Sequence, residues 1–272
     1  RDHSLRIPRP DLTVKLGTPN ACNQCHTKAE ENAEWATHKV EEWYGPKRRD
    51  DPHYGEILAA GRAGKSEAEQ SLIKLTREKE VGPIVRATAV SLLATRYNTT
   101  ESREAVERAL KSKEELVRLA ALQGFEGWTP GPEQDASEIG KLLAEGLSDS
   151  SRGVRAEVAR ILSGLPIMPD TRQNQKALKQ ALEEYKAGLL ADGDQSGSHM
   201  SLGILYANQG DLKKAETEFR TAIKLSPAVT GPRSNLAQLL EQQGRADEVK
   251  TLRTKEAELL ARDARLLPEN PM

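Results

Sequence analysis

Five consecutive residues, Cys22-Asn23-Gln24-Cys25-His26, carry the clearest chemistry in this sequence. Cys-x-x-Cys-His is the attachment signature of a c-type haem. A spacing of three places Cys22 and Cys25 on one side of a helical turn. From there both thiols can reach the two vinyl groups of one porphyrin and close thioethers. His26 then lies beneath the ring and offers an imidazole nitrogen to the iron as proximal ligand. The cofactor expected is at least one covalent haem c. Two other chemistries use a Cys-x-x-Cys pair. A structural zinc site needs four ligands, usually two such pairs, and the chain has 2 cysteines in 272 residues. A thioredoxin-like redox pair follows a strand and opens a helix, whereas this one follows Pro- and Gly-marked chain with no convincing strand in the sequence.

The elements that must hold this motif are helices. Residues 1–21 contain Pro8, Pro10 and Pro19 without a helical period, so they read as an extended arm, with His3 near its free end. Glu30 to Tyr44 reads as a helix whose apolar stripe is Ala33, Ala36, Val40 and Trp43, ended by Gly45-Pro46. His38 lies off that stripe, beside Trp35. A second helix opens with Asp51 as N-cap and Pro52 at the first position, and carries His53, Ile57 and Ala60 on one face. His53 is therefore the inward-pointing candidate for the sixth iron ligand, near a helix N-terminus that disfavours imidazolium. His38 remains its rival. Trp35, Trp43, Tyr44 and Tyr54 concentrate in this short region of an aromatic-poor chain, where a flat apolar macrocycle would need covering; Trp35, Trp43 and Tyr54 are the candidates for haem packing.

Composition bounds the rest. Charged residues make up 30% and the formal net charge is -1, which gives no bulk electrostatic case for nucleic acid. No apolar run approaches the roughly 20 residues of a membrane helix. Covalent haem attachment occurs outside the cytoplasm, so a periplasmic, extracellular or cell-surface location is expected, and the chain, which opens at Arg1, reads as mature, processed or partial.

Beyond residue 62 the sequence repeats itself. Gly61-Arg62-Ala63-Gly64-Lys65-Ser66 only superficially suggests a phosphate loop: the required first glycine falls at Ala59, and no strand precedes it. Val85-Arg86, Val117-Arg118 and Val154-Arg155 each open an apolar helix that follows a shorter one. Such irregular pairs resemble HEAT repeats, in which arginines at this position tie neighbouring loops and do no catalysis. The last third is tighter. Leu202, Gly203, Tyr206, Gly210, Ala215, Phe219, Ala222 and Pro227 fall at the tetratricopeptide signature positions, with Gly197-Ser198-His199-Met200 in register as native sequence. His199, Arg233 and Gln238 should lie near the surface of a concave groove. The fold class expected is all-α: a haem-binding segment over 1–62, HEAT-like helical repeats over 63–167 and tetratricopeptide repeats over 168–272, the last two forming an α-solenoid.

Ile7-Pro8-Arg9-Pro10-Asp11, Leu16-Gly17-Thr18-Pro19-Asn20-Ala21-Cys22, Trp35-Ala36 and Trp43-Tyr44-Gly45 together resemble bacterial multihaem cytochromes of the cytochrome c554-like kind that carry HEAT and tetratricopeptide repeats. The resemblance implies a secreted electron-transfer protein with several haems, each held by two histidines. It makes Cys22 and Cys25 attachment sites, His26 a proximal ligand, His53 (in His-Tyr-Gly-Glu) a distal ligand, and His3 (in Asp-His-Ser) the ligand of another haem. This chain has one Cys-x-x-Cys-His where the family has several, so it is either the carboxyl-terminal part of a longer cytochrome or a single-haem relative. The implied partners are redox proteins and other haem subunits, docked through the helical repeats. The competing functions are a haem enzyme or ligand sensor with an open iron position, and an assembly scaffold whose haem is structural.

Overall fold

The computed structural model describes residues 8–50, 52–125, 136–165 and 169–266, and every regular element among them is helical. The chain forms two compact units, Arg1–Trp128 and Thr129–Met272. The division falls at the start of a stretch rich in Pro and Gly, Thr-Pro-Gly-Pro-Glu-Gln-Asp over 129–135.

In the first unit, α1 (Pro10–Leu16) corrects the expectation of an extended arm. Pro10 sits at the first helical position, where its missing N–H costs nothing, and Gly17 closes the helix at φ 69°. Leu12 and Asp11 are buried, and Asp11 is held by two bonds from Arg9, 2.8 and 2.7 Å long. The turn α2 (Cys22–Cys25) follows, then α3 (Ala33–Tyr44), which starts three residues later than expected because the Asn32 side chain caps the Trp35 N–H. Ala36 and Val40 of its stripe are buried, but Trp43 at the stripe's end is 70% exposed. After a 3-10 turn at Pro46–Asp50 comes α4 (Tyr54–Arg62). His53 is its N-cap and not, as expected, part of its first turn; Asp51 lies outside the described residues.

Helix pairs complete this unit: α5 (Ala68–Leu75) with α6 (Pro83–Arg96), then α7 (Thr100–Ala109) with α8 (Glu115–Phe125). Neither pair could bury its apolar face alone. Leu72, Val90, Leu93, Val117 and Ala121 form the shared core, each at most 1% exposed. Glu69 of α5 accepts hydrogen bonds from Thr99 and Ser102 at the start of α7, which joins successive pairs.

The second unit holds α9 (Ala136–Glu145), α10 (Arg152–Ser163), α11 (Arg172–Ala191), α12 (Ser196–Asn208), α13 (Leu212–Leu225), α14 (Pro232–Gln242) and α15 (Ala246–Leu266). Its tightest joint is between α12 and α13: a Cβ on Gly203 would stand 2.5 Å from Cδ1 and Cε1 of Phe219, so only glycine admits the ring. The three Val-Arg arginines tie loops, as their repetition suggested. Arg118 and Arg155 donate to carbonyls six residues earlier, those of Ser112 (2.8 Å) and Asp149 (2.7 Å). Arg86 pairs with Glu114 at 3.5 Å, and Arg155 makes a forked pair with Glu184 at 2.9 and 3.0 Å.

His199 gives this unit a pH dependence. Its Nδ1 lies 2.5 Å from Glu218 Oε2 and its Nε2 lies 3.0 Å from the Gly193 carbonyl. Both partners are acceptors, so only the doubly protonated ring satisfies both. Burial pulls its pKa down, but the Glu218 carboxylate and the Gly193 carbonyl outweigh it and hold the value above the ordinary 6.5. Of the titratable groups on α10, α11, α13 and α14, the one that acts on it is Glu218. A raised folded-state pKa contributes stability that is complete below pH 6.5 and is lost as pH rises through the higher folded value. We expect the second unit to melt lower at about pH 8 than at about pH 6, and His199→Gln to flatten that slope while costing about 1.5–3 kcal/mol at the acid end. Thermal unfolding by circular dichroism across this range checks it; an unchanged slope in H199Q would contradict the assignment.

Candidate haem site

The site is built around the α2 turn. Asn20, just before the motif, accepts the Asn23 N–H at its Oδ1 (3.1 Å), and its Nδ2 donates to Asn23 Oδ1 (2.8 Å) and Thr13 Oγ1 (2.9 Å). The His26 N–H closes the turn on the Cys22 carbonyl at 2.9 Å. Cys22 is half-buried and Cys25 exposed, both as free thiols, so each is available for covalent attachment from one helical turn. The His26 ring packs on Trp35, centroids 4.8 Å apart and planes tilted by 45°. Its Nδ1 stands 3.5 Å from Glu31 Oε2.

These residues fit a c-type haem. A carboxylate beside Nδ1 favours the tautomer with the proton there, and Nε2 is then the nitrogen left for iron. Trp35 stands against the ring. Trp43 and Tyr44, 70% and 55% exposed, leave aromatic surface uncovered at the end of the same helix. Among the described residues no group of three or more His, Cys, Asp or Glu side chains that could hold a metal ion is present.

His53 and Tyr54 stand side by side at the start of α4. Their rings stack at 4.2 Å, and they line an open cleft of about 700 Å³ with Lys15, Ile57, Lys74 and Leu75. Cys22, Cys25, His26 and Trp35 are not among the residues lining that cleft. His53 Nδ1 accepts the Gly55 N–H at 3.0 Å, so the neutral ring carries its proton on Nε2. Ligation through Nε2 therefore requires that cap to be released. His38, its rival, is 63% exposed between Glu34 and Glu41, at 3.7 and 3.5 Å. His3 lies outside the described residues.

Sequence reasoning missed Glu31 and the asparagines. The sequence puts Glu31 inside a helix that begins at Glu30; the Asn32 cap leaves it in the loop before α3 instead. The signal for the Asn20–Asn23 bond was their spacing of three before a helical turn.

In the second unit, Ile204 and Asn208 of α12 and Asn235, Gln238 and Gln242 of α14 line a groove of about 310 Å³. Gln238 is exposed there as expected. Arg233 is not at the surface: it is 5% exposed, and its guanidinium donates to the Pro227 (2.7 Å) and Val229 (3.0 Å) carbonyls, closing the loop before α14. His199 is likewise largely buried, at 16%, by its two bonds.

A family model of the tetratricopeptide repeat matches residues 197–229, the segment that holds Gly203, Phe219 and the α12–α13 joint. Such repeats generally mediate protein–protein contacts. No curated protein and no solved structure matches the chain. No helix among the described residues is long and apolar enough to cross a membrane.

Proposed function

We propose that this protein is an electron-transfer c-type cytochrome, or part of a multihaem one, that acts in the periplasm or at the cell surface and docks redox partners through its helical repeats. The observation that carries the proposal is two free thiols on one helical turn followed by a histidine whose Nδ1 faces a carboxylate. Haem bound here would supply a one-electron Fe(III)/Fe(II) couple. Cys22 and Cys25 would fix the porphyrin covalently, His26 would offer Nε2, and Trp35 would hold the imidazole plane. Trp43 and Tyr44 would cover apolar surface at the edge of the group or meet the partner that receives the electron. The groove between α12 and α14, rimmed by amide side chains around Ile204, is the surface for a docked protein segment.

A second reading, a haem enzyme or sensor with an open iron position, has one observation in its favour: His53 uses Nδ1 as an acceptor and must leave α4 uncapped to ligate iron. The absorption spectrum of the reduced holoprotein separates the two. Low-spin bands unmoved by carbon monoxide support electron transfer with His53 recruited, and His53→Ala should then produce a high-spin form that binds the gas. High-spin bands that shift with carbon monoxide in the unaltered protein would overturn the electron-carrier reading.

A further inference from the structure

We infer that Glu31 is a positioning residue for His26 that fixes its imidazole and holds the iron's reduction potential low. The inference rests on the haem reading above. Its basis is that the loop carrying Glu31 is clamped to the attachment motif by the motif's own interior residue. Asn23 Nδ2 donates to the Glu31 carbonyl at 2.6 Å and makes a longer contact of 3.5 Å to the His26 carbonyl. The Glu31 N–H closes a turn on the Lys28 carbonyl at 2.9 Å. Asn23 is itself held by Asn20, and Asn20 by Thr13 of α1. The chain of bonds thus runs from the first helix through the Cys-x-x-Cys turn to the backbone of Glu31, whose carboxylate faces His26 Nδ1 at 3.5 Å. Trp35 bounds the imidazole ring as well. The Glu31 side chain is 22% exposed against 49% for His26, so the carboxylate is the more sheltered of the two.

The chemistry follows from charge. A ligating imidazole whose N–H faces a carboxylate is a stronger electron donor, and the partner also fixes its tautomer and orientation. Both the added donation and the fixed negative charge favour Fe(III) over Fe(II), so the potential falls. A backbone carbonyl in the same place would orient the ring but carry no net charge.

The test is an equilibrium redox titration of the holoprotein, made in a host that attaches haem to Cys-x-x-Cys-His. Glu31→Gln should retain covalent haem and an unchanged low- or high-spin spectrum while its midpoint potential rises. Glu31→Asp should fall between it and the wild type. Glu30→Gln, an exposed neighbour, should leave the potential where it was. Asn23→Ala, which frees the loop, should raise it by a smaller amount, and it decides the question if E31Q does not accumulate. A potential that is unmoved or lowered, with haem attached, overturns this inference alone. Wild-type chain recovered without attached haem overturns the haem reading and this inference with it.

Discussion

Phe219→Ala is expected to remove about 3–5 kcal/mol from the stability of the second unit, the range for a fully buried aromatic truncated in a packed core. Phe219 is 2% exposed and belongs to a cluster with Ala215, Leu236, Ala237 and Leu240. Its ring occupies the space that any Cβ on Gly203 would need. Gly203→Ala should therefore also destabilise, by about 1–3 kcal/mol for overpacking. The two changes touch the same space, so the double variant should lose less than the sum of the singles. Urea unfolding measures this. All three tryptophans lie at or before residue 128, in the first unit. A transition seen by far-UV circular dichroism but not by tryptophan fluorescence therefore reports the second unit. An unchanged midpoint in Phe219→Ala would contradict the packing described for α12, α13 and α14.

The largest functional effect is expected at the motif. Cys22→Ser with Cys25→Ser should abolish covalent haem entirely, read as loss of haem stain after denaturing electrophoresis. Either single change should leave one thioether site and an intermediate signal. Because Cys22 and Cys25 belong to α2 and contribute nothing to the second unit's core, far-UV circular dichroism of that unit's transition should stay in place. Haem stain that survives the double substitution would place the attachment elsewhere.

How much of this was legible depended on whether a feature was written in period and local chemistry or in long-range closure. The repeat helices were legible. Each Val-Arg helix follows from its apolar period, and Gly45-Pro46 stops α3 where expected. The α12–α13 joint was written in single residues, since Gly203 and Phe219 are a size pair that makes sense only across two helices. Helix α1 was not legible: seven residues are too few for a period to show, and Pro10, read as a break, is equally suited to a first turn. His53 was read inside its helix because Pro52 imitates a helix start. The imidazole took the capping role that a shorter polar side chain usually fills. Arg233 was expected near the surface of the concave groove. Its burial comes from two carbonyls at the loop before α14, a closure no periodicity encodes.

For the candidate site, the Cys-x-x-Cys-His pattern was legible because the haem attachment proposed for it would fix its spacing. Their surroundings were not. Glu31 reaches His26 only because Asn32 delays the start of α3 and Asn23 pins the intervening loop. Neither event leaves more than a single polar residue in the sequence.

The most direct measurement is the mass of the native polypeptide under denaturing conditions, followed by that of the peptide spanning Cys22 to His26. Covalent haem on both thiols predicts that this peptide carries the mass of one haem and that neither Cys22 nor Cys25 reacts with an alkylating reagent. A peptide of unmodified mass, with both thiols open to alkylation after expression in a haem-attaching host, would contradict the account.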